Sequence, residues 1–193
     1  MNCSFQPLTN NNWKDFALLF GPKGACGGCW CMTWRLTSTD YNRMKGEENK
    51  KAMQHIVSKS SPGIIAYADD VPAGWCAIAP RKEYIRLETS RILQRVDEKE
   101  VWSVSCFFIK KDFRRKGLST ALLKAAAAFA FKKGALIIEG YPTDTKKVKA
   151  KDGGKNIPPV FVWTGLAATF SNAGFKEAAR RSDSRPIMRL YKN

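Results

Sequence analysis

A basic turn that contains one glycine is the part of this sequence with the clearest chemical potential. The turn consists of Arg114, Arg115, Lys116, Gly117, Leu118, Ser119 and Thr120. It leads into an alanine-rich stretch with helical spacing, and the first N–H groups of a helix have no partners inside the helix. Because the helix dipole also favours negative charge at that end, we predict that the turn binds a pyrophosphate through its backbone amides. The alternative is a solvated basic turn.

The segments on either side of the turn are predicted to form a strand–helix–strand unit. The run 101–109, Val-Trp-Ser-Val-Ser-Cys-Phe-Phe-Ile, is rich in residues that favour strands. A helix is predicted over 118–132 and a second strand over 135–139. The apolar face of the helix is predicted to consist of Leu118, Leu122, Ala125 and Phe129. Two strands joined by a crossover helix indicate a parallel pair.

Two segments of the chain resemble a known family. Residues 114–119 resemble the Arg/Gln-x-x-Gly-x-Gly/Ala signature of the GNAT N-acetyltransferase superfamily, with Ser119 where Gly or Ala is usual. Residues 170–175, Phe-Ser-Asn-Ala-Gly-Phe, resemble the family's aromatic-x-x-x-Gly-Phe ending. The chain is also similar to uncharacterised bacterial members that carry a Cys-Gly-Gly-Cys-Trp-Cys segment. The resemblance implies a mixed α/β fold of the acyl-CoA N-acyltransferase type: a central, mostly antiparallel sheet with one splayed parallel pair, flanked by helices.

The same resemblance implies acetyl-CoA as the cosubstrate and assigns residues to it. The basic turn would hold the pyrophosphate. The main chain of Phe107, Phe108 and Ile109 would pair with the pantetheine arm and offer an N–H to the thioester carbonyl, a donor that can lower a barrier by about 3 kcal/mol. Phe170 also falls in the implied cofactor site. It stands where the family usually has a tyrosine general acid, and a phenyl ring cannot protonate the leaving thiolate.

Glu139 and Tyr141 are the predicted catalytic residues. Glu139 ends the strand Ala-Leu-Ile-Ile-Glu, at the carboxyl end where α/β proteins bind ligands. Many GNAT enzymes resemble this chain in having a strand-end Glu that takes a proton from the substrate amine, which has a pKa of about 10 and must be deprotonated before attack. Tyr141 follows on the same face as a hydrogen-bonding or acidic group. The equally weighted alternative is that Glu139 forms an ion pair with a nearby Lys or Arg.

A cysteine-rich segment has three open interpretations. Cys26, Cys29 and Cys31 lie around a pair of glycines and next to two tryptophans. A structural zinc site needs four ligands, usually as two spaced pairs, and the sequence has one Cys-x-x-Cys pair. We therefore expect no metal. The favoured interpretation is that small cysteines pack the tryptophans against the acceptor side, with metal binding and redox chemistry as alternatives.

The net charge and the lengths of the apolar runs limit which partners and which cellular location we expect for the protein. The net charge is +16, from 33 Lys and Arg against 17 Asp and Glu, and a positive field raises the local concentration of an anionic cofactor or acceptor. A nucleic acid partner is compatible with this charge but is not favoured. No apolar run reaches the roughly 18 residues that span a membrane, and no signal peptide is recognised. We expect a cytoplasmic protein with reduced thiols and no membrane partner. The oligomeric state, a homodimer included, stays open.

The remaining pattern predicts one domain, 1–193, with the family motifs over about 60–193. The other predicted elements are strand 4–8, helix 11–20, helix 42–59, strands 64–68 and 73–78, helix 83–94, helix 164–172, and strands 175–179 and 187–190. The lysine-rich loop 143–160 is long for a compact domain, so we predict that it covers the acceptor side as a lid.

The residues and the resemblance predict an enzyme that transfers an acetyl group from acetyl-CoA to a primary amine of an unidentified acceptor, by direct attack in a ternary complex. Three alternatives are open. An enzyme that acetylates aminoacyl-tRNA would suit the positive charge. A non-catalytic module that binds CoA or nucleic acid would suit the missing tyrosine at position 170. A metal or redox protein would suit the cysteines.

Overall fold

Seven strands within the described residues form one mixed sheet at the centre of the protein. The computed structural model describes residues 1–148 and 162–192. The strands are β1 (Cys3–Pro7), β2 (Gly63–Ala68), β3 (Val71–Pro80), β4 (Trp102–Ile109), β5 (Ile137–Gly140), β6 (Lys176–Arg180) and β7 (Pro186–Tyr191). Their order is β1-β2-β3-β4-β5-β7-β6, in which β4 and β5 are parallel and all other neighbours are antiparallel. The predicted fold class is confirmed.

Helices cover both faces of this sheet. They are α1 (Trp13–Phe20), α2 (Ser38–Arg43), α3 (Glu47–Lys59), α4 (Ile85–Glu88), α5 (Leu118–Lys132) and α6 (Ala167–Asn172). In β2, Ile64 and Ala66 pack with the α5 side, whereas Ile65 and Tyr67 pack with the α1 side. Because successive side chains of a strand point to opposite faces, burial on both faces explains the continuous apolar runs of β2 and β3.

The helix after the basic turn has its predicted bounds but a rotated buried face. Leu118 and Leu122 are buried as predicted, and Ala126 and Ala130 continue the buried stripe. Phe129, predicted on that face, is only half-buried. The small alanine side chains let the helix lie close to the sheet, and the larger ring is therefore placed at the margin of the contact.

Two helix predictions are wrong in extent, each because of a contact with a distant part of the chain. The predicted helix 42–59 is two helices that meet at Gly46, which has a φ of 87° and donates its amide to the Gly28 carbonyl at 3.1 Å. The predicted helix 83–94 is helical only at α4. The Arg81 guanidinium donates to the Leu87 carbonyl at 3.0 Å, which a longer helix would use for its own hydrogen bond, and to the Leu93 carbonyl at 2.8 Å, which holds the following segment outside the helix.

The parallel strands separate partway along their length. Their pairing consists of Trp102 with Ile138, Ser103 with Glu139, and Val104 with Gly140. The next residue, Ser105, is the extra residue of a bulge between β4 and β3. On the other side of the gap, the Phe170 ring of α6 lies against Gly140. The edge of β4 beyond the bulge therefore lines a cavity instead of pairing with β5.

We predict that the contact between Gly140 and Phe170 tolerates no added methyl group. A Cβ at position 140 would overlap the Phe170 ring, so Gly140→Ala should lower the free energy of unfolding by about 1–3 kcal/mol. In a Phe170→Ala background the same change should be nearly neutral, because the cavity left by the ring accommodates the methyl. Urea denaturation of the four proteins measures this coupling, and additive losses would contradict it.

Candidate active site

One cavity of about 750 Å³ joins the basic turn to the cysteine-rich segment. At one end it is lined by Arg114, Arg115, Gly117, Leu118 and Ser119. Its side is lined by Phe107, Phe108 and Ile109, and its other end by Cys26, Cys29, Cys31, Thr33, Trp34 and Tyr41. Residues from three separate parts of the sequence thus share one space, and eight of the eleven predicted cofactor residues lie on its wall.

The basic turn has the geometry of an open anion site at a helix N-terminus. Gly117 is the residue before α5 and has a φ of 79°, a left-handed conformation that disfavours most side chains. A Cβ built at Gly117 meets no atom within 4 Å, so the space in front of it is free. Arg115 is also left-handed, with a φ of 61°. A turn held in this conformation presents successive amides toward one point.

Arg114, Lys116 and Thr120 are held by contacts within the protein. Arg114 folds back, and its Nε donates to the Ile109 carbonyl at 2.9 Å, which fixes the turn to the end of β4. The Thr120 amide donates to the Gly117 carbonyl at 3.1 Å and is used within the first turn of α5. Lys116 and Thr120 are not on the cavity wall, and the Lys116 Nζ lies 5.9 Å from the centre of the Phe113 ring.

The amide of Phe107 points into the gap between the separated strands. It donates to the Trp163 carbonyl at 2.6 Å, so the main chain after the undescribed segment occupies this part of the gap. The Trp163 ring packs against the Trp34 ring with their centroids 5.6 Å apart, and both residues line the cavity. A ligand that uses the Phe107 amide must therefore displace the Trp163 carbonyl. No local pattern in the sequence indicates this contact.

Phe170 lies in the core behind the cavity wall. Its ring is fully buried and contacts the rings of Phe107 and Phe175 edge-on, with centroid distances of 5.9 and 5.0 Å. The preceding residue, Thr169, is on the cavity wall. Phe170 is itself absent from the cavity wall, and its predicted part in cofactor binding stays a prediction.

The two predicted catalytic residues are part of a buried ion network beside the cavity. Glu139 accepts from Arg81 Nη1 at 3.0 Å, from Arg189 Nε at 2.7 Å and from the Tyr141 hydroxyl at 2.8 Å. The Tyr141 hydroxyl is also within 2.8 Å of Ser103 Oγ. Neither Glu139 nor Tyr141 lines the cavity. These surroundings match the ion-paired alternative for Glu139.

The pKa of Tyr141 is raised mainly because its hydroxyl is buried. Burial, followed by the charge of Glu139, raises the pKa of Tyr141 well above its ordinary value. The phenol therefore keeps its proton across the neutral range. Its proton is directed to Glu139.

Arg81 and Arg189 are the members of this network that sequence reasoning missed. Arg81 is buried after β3 and also binds Glu88 at 2.9 Å, and Arg189 also binds Asp97 at 2.7 Å. One signal was available for Arg189. It interrupts the apolar strand Pro-Ile-Met-Arg-Leu-Tyr, and it pairs directly with Glu139 in the sheet. A charge within such a run requires a buried partner.

The cysteine-rich segment brings Cys31 to the cavity wall and leaves Cys26 exposed. Across residues 1–148 and 162–192, no group of three His, Cys, Asp or Glu side chains is placed to hold a metal ion. His55 lies on the exposed side of α3.

Of the predicted lid 143–160, residues 149–160 lie outside the described residues. The Thr143 amide donates to the Gly165 carbonyl, in the segment before α6, at 2.8 Å. No helix in the described parts of the chain has the length and apolar character to cross a membrane.

We predict that Glu139→Gln lowers the free energy of unfolding by about 3 kcal/mol or more, because it leaves two buried guanidinium groups without their shared carboxylate. Asp97→Asn is the matched control. It removes the partly exposed partner of the same Arg189 and should cost about 1 kcal/mol or less. Chemical denaturation of both variants decides the point, and equal losses would show that burial of Glu139 is not the cause.

The sequence and the fold were compared with known proteins. Residues 30–149 match the family model described as acetyltransferase (GNAT) family. No curated protein matches the chain.

Several solved structures share the fold at low sequence identity. The PaiA N-acetyltransferase of Thermoplasma acidophilum in complex with coenzyme A has a TM-score of 0.55 and 14% identity, with 100% of both chains covered. A GNAT acetyltransferase of Listeria monocytogenes has a TM-score of 0.57 and 7% identity, with 98% of this chain and 95% of that chain covered. The aminoglycoside acetyltransferase AAC(6')-Ib in complex with coenzyme A has a TM-score of 0.52 and 15% identity, with coverage of 99% and 95%. With a family model that matches more than half of its length, and with a sheet of this architecture, the chain belongs to the GNAT acetyltransferase family.

Proposed function

We propose that the protein transfers the acetyl group of acetyl-CoA to a primary amine, by direct attack of the amine in a ternary complex. The observation that carries the proposal is the continuity of the cavity. One space runs from an open anion site at the N-terminus of α5, along the unpaired edge of β4, to a wall formed by a separate segment. A cofactor and an acceptor that enter from different ends would meet beside β4, and holding two reactants in contact is a large part of catalysis.

The cofactor end would hold the pyrophosphate on the turn around Gly117. Coenzyme A is bound in the solved structures of PaiA and of AAC(6')-Ib, which share this fold. Amides at the N-terminus of α5 would donate to the phosphates, with Arg115 and Ser119 on the cavity wall beside them. The pantetheine arm would follow residues 107–109. The amides of Phe107 and Ile109, two residues apart, point to the same edge of β4 and suit an extended ligand.

The acceptor end would lie against the cysteine-rich segment. Trp34, Tyr41 and Trp163 provide rings around this part of the cavity, and Thr33 provides a hydroxyl. The net charge of +16 supports an acceptor that bears phosphate or carboxylate. The six cysteines, all unpaired, suit a reducing cytoplasm. Free-thiol release from acetyl-CoA, measured across amines with and without an anionic group, tests this acceptor class.

The proton-transfer roles of Glu139 and Tyr141 stay a prediction. A direct role would require the acceptor amine, or a chain of waters, to reach the buried network behind the cavity. Loss of a general acid at position 170 is compatible with turnover, because a thiol with a pKa of about 8.5 leaves readily as thiolate near neutral pH. The acid is therefore not essential to the proposal, whereas deprotonation of the amine is.

Gly117 tests the cofactor end. Gly117→Asp should abolish acetyl-CoA binding, because it places a negative charge where the phosphates would approach. Gly117→Asn is the matched control, because Asn has nearly the same shape and tolerates the left-handed conformation without the charge. Isothermal calorimetry with acetyl-CoA should show a large loss of affinity in the Asp variant and a much smaller one in the Asn variant. Unchanged affinity in both variants would contradict a phosphate site at this turn.

Glu139 tests the proton-transfer step. If Glu139 deprotonates the amine, Glu139→Gln should lower turnover about 100-fold while acetyl-CoA affinity is retained. Glu88→Gln is the control, since it removes another carboxylate from the same Arg81 without touching the predicted base. Rates are compared at a temperature where circular dichroism shows both variants folded. An unaltered pH–rate profile in Glu139→Gln would assign the residue to the ion network alone.

A further inference from the structure

Cys31 differs from its neighbours in the number of groups that stabilise negative charge on its sulfur. The Trp75 indole N–H donates to Cys31 Sγ at 3.2 Å in a buried position. The neighbouring Cys106 thiol and the positive charge of the Arg35 guanidinium also favour the charged form of Cys31 and act on its pKa. Three contributions from three different parts of the chain therefore converge on one atom.

These contributions outweigh the effect of burial. The hydrogen bond from Cys106, together with the Trp75 N–H and the charge of Arg35, lowers the pKa of the Cys31 thiol below its ordinary value. The opposite holds for two neighbours. Burial raises the pKa of Cys29, and hydrogen bonding to Cys31 followed by burial raises that of Cys106. Among Cys29, Cys31 and Cys106, Cys31 is therefore the thiol whose pKa is lowered, and a lowered pKa favours the nucleophilic thiolate form.

Arg35 has donor capacity that its known contacts do not use. Its residue is 6% exposed, and Nη1 donates to Glu83 at 2.6 Å. Its Nε and Nη2 have no hydrogen-bond partner among the residues that the structure describes. Because this buried guanidinium has a single carboxylate partner, its positive charge also acts on other groups nearby. It lowers the pKa of the Cys31 thiol.

The position of Cys31 suits a reaction with the cofactor. Cys31 and Cys106 both lie on the cavity wall, and Cys106 directly precedes the strand edge assigned to the thioester. Trp30 and Cys31 have φ values of 42° and 63°, so two consecutive residues that are not glycine are held in the left-handed region. Such outliers persist where the surrounding structure imposes them, and they are frequent at functional sites.

We propose that Cys31 is an internal acceptor of the acetyl group, which becomes S-acetylated by bound acetyl-CoA when no amine occupies the cavity. The Cys31 sulfur attacks the thioester carbonyl carbon, and a new C–S bond to Cys31 forms. The C–S bond to CoA breaks, and CoA leaves as a thiolate that takes a proton from solvent. One thioester replaces another, so no oxidant or reductant is needed, and free CoA reverses the reaction. The inference rests on the proposed acetyl-CoA site.

The pH dependence of this reaction follows from the direction of the pKa change. The thiolate is the nucleophile, and it is lost as the pH falls through the pKa of the thiol. Because that pKa is lowered, acetylation of Cys31 should persist at pH values where a free cysteine, with a pKa of about 8.5, is mostly protonated. The exposed Cys26, in the same segment, serves as an internal reference for reaction without this environment.

The experiment uses the full chain incubated with acetyl-CoA in the absence of amine. After removal of the cofactor, intact mass should show one added acetyl group, and peptide fragmentation should place it on Cys31 and not on Cys26 or Cys29. Neutral hydroxylamine, which cleaves thioesters, or excess free CoA should remove it. Cys31→Ser should lose the modification, and Cys29→Ser, its matched control on the same cavity wall, should keep it.

A second variant separates activation of the sulfur from an effect on folding. Trp75→Phe removes the N–H donor and keeps an aromatic ring, so it should slow acetylation at neutral pH and restore the rate at higher pH, where the thiol ionises without help. A rate lowered equally at all pH values would show a merely structural role and would overturn activation of the sulfur by Trp75. Calorimetry with acetyl-CoA distinguishes the two proposals. An unmodified Cys31 in protein that binds acetyl-CoA overturns this inference alone, whereas absence of binding overturns the proposed function as well.

Discussion

The early end of pairing between β4 and β5 is the constraint on which the rest of the site depends. Two parallel strands that stayed paired would use the amides beyond Val104 in the sheet and leave no space between them. The bulge at Ser105 turns β4 away, and the Phe170 ring keeps the gap open from the α6 side. The cost is a strand edge with unpaired main chain in the interior of the protein. One of these amides, that of Phe107, donates to the Trp163 carbonyl at 2.6 Å.

Where β4 and β5 are still paired, buried ion pairs stabilise the sheet in addition to apolar contacts. Glu139 lies on β5 directly opposite Arg189 of β7, and Arg81 reaches it from the end of β3. Burying three charges is costly unless each is hydrogen-bonded, and here each oxygen of Glu139 has a guanidinium donor. This arrangement fixes the register of three strands at the point where the sheet begins to open. A strand-end carboxylate can thus have a structural role that, in the sequence, looks the same as a catalytic one.

The sequence predicted what depends on local spacing and missed what depends on distant partners. The strand–turn–helix unit was predictable because a glycine with a left-handed φ and an alanine-rich helix leave a short-range pattern around Gly117. The ion network was not, since Arg81 and Glu139 are 58 residues apart and no periodicity links them. The single helix predicted over 42–59 fails for the same reason: its break at Gly46 is held by the carbonyl of Gly28. The cysteines were noticed as a motif, but the sequence spacing of Cys26 and Cys29 directed attention away from Cys31, whose partners Trp75 and Cys106 lie on the sheet.

The two ends of the cavity place opposite electrostatic demands on the chain. The turn at Gly117 lies at the positive end of the α5 dipole and carries basic side chains, and no protein atom fills the space in front of Gly117. At the other end, Arg35 and the Trp75 N–H are buried away from bulk water, so their partners are part of the protein: Glu83 for Arg35 and the Cys31 sulfur for Trp75. If the cavity binds acetyl-CoA as proposed, the thioester would meet Cys31 as well as an amine, and the amine acceptor would compete with the Cys31 sulfur.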